Sequence, residues 1–220
     1  HSNNPSELFE LRSYIMAKLL WNPDQDFNDL LIEFTDGYYK EAGIFVRKYI
    51  DLVHQKILED QDFFLFLYGD PSQAFVSYLN AELLDQYDSF FDDAEKEVSY
   101  DPEIVDRVKV ARLSIDYAIL EASKKGLNEK FKLTSQNDQG AMDVNPLVKN
   151  KLENFYKTCN EANITLMNEM GFTVEEYYNS YKKAIEVASL PNKAKGKKVI
   201  LLTKPKKYAN EDPQTLTDGA

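Results

Sequence analysis

Proline stands directly behind a capping residue at three points of this chain: Asn4-Pro5, Asp101-Pro102 and Asn145-Pro146. A side-chain oxygen that caps, followed by a ring that fixes φ and needs no hydrogen-bond partner, is the signature of a helix start. Apolar residues at helical spacing follow each pair. Glycine stands where periodic runs give out, at Gly37, Gly126 and Gly171. Agreement of cap, period and stop at several places predicts an all-α fold. The expectation is about seven antiparallel helices in an irregular bundle, with a short extended C-terminal tail.

The first helix is expected to open at Asn4-Pro5-Ser6-Glu7 and to end at Trp21-Asn22-Pro23. Its apolar arc takes in Leu8, Leu11, Ile15 and Leu19, widened by Phe9, Met16 and Leu20 to about half the circumference. An arc that wide needs partners on two sides. Asp26 caps a second helix closed by Gly37, and a third carries Val46, Tyr49, Ile50 and Val53. A fourth, with Leu83, Tyr87 and Phe91, has a break near Asn80. The fifth runs from Asp101-Pro102 to Gly126, and Leu127–Val144 reads as a polar loop. The sixth runs from Asn145-Pro146 to Gly171, and the box Thr173-Val174-Glu175-Glu176 opens a seventh that ends near Leu190-Pro191. The domain boundary falls there. Residues 1–190 form the helical domain. Residues 191–220 are a Lys-rich linker and the beginning of another module, with Val199–Leu202 reading as a strand.

Eight Gly and eight Pro in 220 residues are too few for a strand-and-turn architecture. The stretch from Pro191 to Tyr208 holds seven Lys and no acid, so the net charge of −11 leaves −18 on the rest. An acidic body argues against nucleic acid, whose binding rests on Lys and Arg at phosphates. No apolar run approaches the ~20 residues of a membrane span. Cys159, the one cysteine, sits in a helical pattern and reads as a buried thiol.

No Gly-rich phosphate loop, nucleophile elbow or metal-ligand spacing is present in the sequence, so no catalytic residue, metal site or cofactor is expected. Asp24–Asn28 imitates a calcium loop but has Asp29 and Thr35 where that loop needs Gly and Glu. The acidic run Asp85, Asp88, Asp92, Asp93, Glu95 and Glu97 alternates with apolar residues and reads as a solvated helix face. His54 reads as a surface or boundary histidine. Arg12 falls inside the first helix's apolar arc, where a guanidinium must snorkel or pair. A structural ion pair and a contact with something outside the chain are both open. Trp21, Tyr38 and Tyr39, near helix ends, are candidates for stacking on sugar rings, against core or boundary packing.

Residues Glu10–Leu52 carry a resemblance. The strings Glu10-Leu11-Arg12-Ser13-Tyr14, Ala17-Lys18-Leu19-Leu20-Trp21-Asn22-Pro23-Asp24 and Phe34-Thr35-Asp36-Gly37-Tyr38-Tyr39, with Arg47-Lys48-Tyr49-Ile50-Asp51-Leu52, resemble domain-of-unknown-function family 4838. Tyr208 and Thr215-Leu216-Thr217-Asp218-Gly219 resemble the opening of a discoidin-like (F5/8 type C) carbohydrate-binding module. The first resemblance implies an α-glucuronidase-like glycoside hydrolase of polysaccharide-degrading bacteria, periplasmic, cell-surface or secreted. In that family a (β/α)₈ barrel precedes this stretch and carries the catalytic acids.

The resemblance therefore implies a non-catalytic helical domain that buttresses the barrel and helps wall its cleft. The first helix is then the last of the barrel. The implied partners are the barrel and the carbohydrate-binding module, with a glycan and a second copy as further candidates. The alternative is a free-standing helical module binding a glycan or a protein.

Overall fold

The computed structural model describes residues 6–64, 66, 69–136 and 142–190. Seven α-helices are found there: α1 (Phe9–Trp21), α2 (Phe27–Tyr39), α3 (Gly43–Glu59), α4 (Ala81–Glu97), α5 (Pro102–Lys124), α6 (Pro146–Glu161) and α7 (Val174–Ser189). The fold is mainly α. The expected linker, the strand Val199–Leu202 and the module opening lie outside the described residues, as do Asn4 and Pro5.

Most helix starts follow from local chemistry. Asp26, Asn80, Asp101, Asn145 and Thr173 each accept a hydrogen bond from a backbone N–H of the first turn. Those N–H groups have no partner within their own helix. At α7 the box closes in both directions, Glu176 accepting in return from the Thr173 N–H at 2.8 Å. α1 departs from expectation. It begins at Phe9, behind Leu8, which holds left-handed backbone with φ 48° and caps nothing with its side chain.

Two helix ends also depart. α2 continues through Gly37 to Tyr39 and stops at Lys40, whose φ of 55° breaks the helical path. α6 stops at Glu161 rather than Gly171, because Asn163 takes the left-handed conformation (φ 56°) and Ile164 N–H turns back to Cys159 O at 2.8 Å. Asn is the residue other than Gly that most readily does this. The expected loop after α5 contains a short hairpin, β1 (Thr134–Gln136) antiparallel to β2 (Met142–Val144), with Ser135 opposite Asp143.

Consecutive helices pack on one another, and α5 is the spine, in contact with α2, α4 and α6. Its burial runs round most of its circumference, through Ile104, Val108, Leu113, Ile115, Ile119 and Leu120. The core is rich in tyrosine. Tyr177 donates to Glu121 Oε1 and Tyr181 to Leu120 O, each at 2.8 Å, so two buried phenols keep their hydrogen bonds. Where α2 meets the start of α3, backbone approaches backbone at Gly43. A Cβ there would lie 2.6 Å from Thr35 O.

Candidate functional site

α1 is apolar on two sides. Leu11 and Ile15 are buried against the bundle, while Leu8 and Leu19 are half-buried. On the far side Phe9, Met16 and Leu20 form an exposed stripe at positions one and two turns apart, with Met16 63% and Leu20 87% accessible. The flank between the two sides opens on a groove of about 320 Å³ between α1 and α3, lined by Ile15, Met16, Phe27, Leu31, Ile50 and Val53 among others. Exposed apolar surface that runs from a helix face into a groove marks an interaction site.

The four residues singled out in the sequence are not brought together. Arg12 is exposed. It makes no ion pair among the described residues, and its guanidinium donates to Ser6 Oγ at 2.9 Å. Among the described residues the intramolecular ion pair is therefore not formed, because the apolar arc around Arg12 is left open on that side.

Trp21 ends α1 and is 92% accessible. Tyr38 lies near the other end of the α1–α2 hairpin. It is stacked on Phe34 and covered by the Arg107 guanidinium at 4.5 Å from the ring centre. Arg107 also donates to Tyr38 O at 2.9 Å, which ties α2 to α5. Burial, with the charge of Glu10 nearby, pushes the Tyr38 phenol above its ordinary range. Tyr39 is fully buried and belongs to the core. Of the three aromatics, Trp21 alone offers an open ring face. His54, on the α3 wall of the groove, is exposed, as expected.

A second constellation was not legible as a site. Asp88 and Asp116 are buried, so part of the acidic run faces inward instead of solvent. Lys151 Nζ lies 2.8 Å from Asp88 and 2.6 Å from Asp116. The Arg112 guanidinium reaches Asp88 at 2.6 Å and Asp92 at 2.8 Å, pairs with Glu95, and lies 3.6 Å from Asp116. These groups floor a cavity of about 400 Å³ between α4, α5 and α6.

Burial pushes both carboxyls up, and the cations oppose it. Around Asp88, Lys151 and Arg112 prevail and hold the pKa below the ordinary value. Asp116 sits deeper, with Arg112 further off, and burial prevails, so its pKa is raised. Burial lowers Lys151, but Asp116 and Asp88 outweigh it and keep the ammonium charged. Each inner charge is answered by an opposite one from another helix, which makes the cluster a clamp across three helices. Such networks perturb pKa values without catalysing anything.

The signal for the clamp was available. Arg112 and Asp116 sit one turn apart beside Val108, Ile115 and Ile119, charges inside an apolar arc. Their α4 partners were hidden because only the packing register selects Asp88 from its acidic neighbours.

Cys159 is buried, and burial with nearby Asp116 pushes its thiol up to about 12, which makes it a poor nucleophile at neutral pH. Among the described residues, no group of three or more His, Cys, Asp or Glu side chains could hold a metal ion, and no helix is long and apolar enough to cross a membrane.

No curated protein and no solved structure matches the chain. A family model described as a domain of unknown function (DUF4838) matches residues 1–51, which takes in α1, α2 and the first half of α3, the elements around the exposed stripe and its groove.

Proposed function

We propose that this chain is a non-catalytic helical domain of a glycoside-hydrolase-like protein, acting in bacterial polysaccharide degradation outside the cytoplasm. In this reading α1 joins the bundle to a catalytic barrel. The exposed stripe Phe9, Met16 and Leu20 meets that barrel, and Trp21 and Arg12 lie at the junction. The Lys-rich segment after residue 190 leads to a discoidin-like carbohydrate-binding module. The observation that carries the reading is the second apolar side of α1, lying within the residues that the DUF4838 model matches. Covering ~300 Å² of such surface is worth on the order of 7 kcal/mol as an upper figure, at ~25 cal/mol per Å².

Two measurements test it. The 220-residue chain should not hydrolyse aryl glycosides or glucuronides. Turnover that follows the purified chain through successive columns overturns the non-catalytic assignment. The complete reading frame should encode a (β/α)₈ barrel ahead of residue 1, and a frame without one overturns the domain assignment.

A further inference from the structure

The groove between α1 and α3 is apolar within and carries an unpaired guanidinium at its edge. Leu8, Ile15, Leu31, Ile50 and Val53 form its apolar walls, Arg12 stands on the α1 side and His54 on the α3 side. Both are exposed, and neither pairs with a carboxylate among the described residues. The acid that lines the groove, Glu7, accepts from the Tyr49 hydroxyl and, at 2.8 Å, from Ser114 Oγ, and not from Arg12. The chain as a whole has 37 acidic residues against 26 Lys and Arg. Among the latter, Arg12 presents a guanidinium with no carboxylate partner among the described residues, at the place where apolar surface is open.

We propose that the α1–α3 groove docks an acidic amphipathic helix, whose apolar stripe fills the groove and whose Asp or Glu carboxylate pairs with Arg12. The inference rests on the domain reading above, and the helix then belongs to the neighbouring domain of the same polypeptide. A groove between two helices takes a third through anchors spaced three and four residues apart. The guanidinium selects the acid because its planar fork matches a carboxylate with two parallel hydrogen bonds. A docked helix with no acid there would cover Arg12 without pairing it, which is costly. Attraction to an acidic partner and rejection of a neutral or basic one come from the same residue.

Three synthetic helical peptides test this, each with the same leucine stripe and differing at one flanking position, Glu, Gln or Lys. They are titrated into the full 220-residue chain carrying labelled methyl groups, and the Leu8, Ile15 and Ile50 methyls are followed. The Glu peptide should shift those methyls and bind about tenfold more tightly than the Gln peptide, with Lys weaker still. Arg12→Gln should erase the preference while retaining binding of the Gln peptide. Arg12 is exposed, so the variant should keep the parent's helical circular dichroism.

Equal binding of the three peptides, a preference that survives Arg12→Gln, or no methyl shift overturns the proposal. So do shifts that depend on chain concentration alone, which would place a second copy in the groove. A reading frame without a neighbouring barrel removes the domain reading but leaves the peptide preference as measured.

Discussion

Lys151 reaches carboxylates on two different helices, Asp88 on α4 and Asp116 on α5, and Arg112 reaches the same pair from α5 itself. Removing one member of a buried charge network leaves its partners unanswered, which costs far more than the network stabilises relative to apolar packing. Lys151→Met should destabilise the fold by about 3–5 kcal/mol in urea unfolding. Lys157→Met, which removes the exposed pairing with Glu161 at 3.7 Å, should change stability by less than about 0.5 kcal/mol.

The two aspartates should answer pH with opposite signs. Asp88, with its pKa depressed on folding, contributes stability above the ordinary Asp range that is lost as pH falls through its lowered value. Asp116, with its pKa raised, contributes stability that is fully present below that range and lost as pH rises through its raised value. Stability profiles should show the acid loss reduced in Asp88→Asn and the loss above the ordinary Asp range reduced in Asp116→Asn. The same direction of change in both variants would contradict the assignment. The sequence places Arg112 and Asp116 inside an apolar arc, but it does not rank Asp88 above Asp85 or Asp92. That choice is made by how α4 docks on α5.

Capping is a local matter, and the helix starts at Asp26, Asp101, Asn145 and Thr173 were legible from three or four residues each. Helix ends were less so. Lys40 holds a positive φ of 55° that its residue type does not announce, and the hairpin of β1 and β2 is too short to show a period. The two glycines of the α2–α3 corner separate what composition suggests from what packing demands. Gly37 looks like a stop but lies inside α2, where a Cβ would meet nothing within 4 Å. Gly37→Ala should therefore stabilise by about 0.5–1 kcal/mol, the ordinary gain of Ala over Gly in a helix. Gly43→Ala should destabilise by about 1–3 kcal/mol, because the added carbon meets Thr35 backbone at 2.6 and 2.8 Å and α3 must shift. Thermal unfolding of the two variants should move in opposite directions, and a matching sign would place the tight approach elsewhere.

At the scale of the whole molecule, the width of α1's apolar arc was legible in the sequence, and which half of it the bundle uses was not. Periodicity says how much of a helix is apolar but not how many neighbours arrive to cover it. In the structure α2 packs on α1, whose Leu11 and Ile15 are buried, and Leu20 and Trp21 face outward. Two substitutions on this one helix should then behave differently. Leu11→Ala opens a cavity in the core and should cost about 2–5 kcal/mol. Leu20→Ala removes a side chain already in water and should change the stability of the isolated chain by less than about 0.5 kcal/mol. Trp21 gives an independent readout, since it is the one tryptophan and is 92% accessible. Its emission should shift little when the chain unfolds in urea, while helical circular dichroism falls cooperatively. Once a neighbouring domain covers α1, both signs change: Leu20→Ala should weaken the joined protein, and Trp21 emission should move to shorter wavelength relative to the 220-residue chain. If Leu20→Ala costs the isolated chain as much as Leu11→Ala, the outer stripe is already covered within this chain or by a second copy, and α1 has no face to offer a barrel.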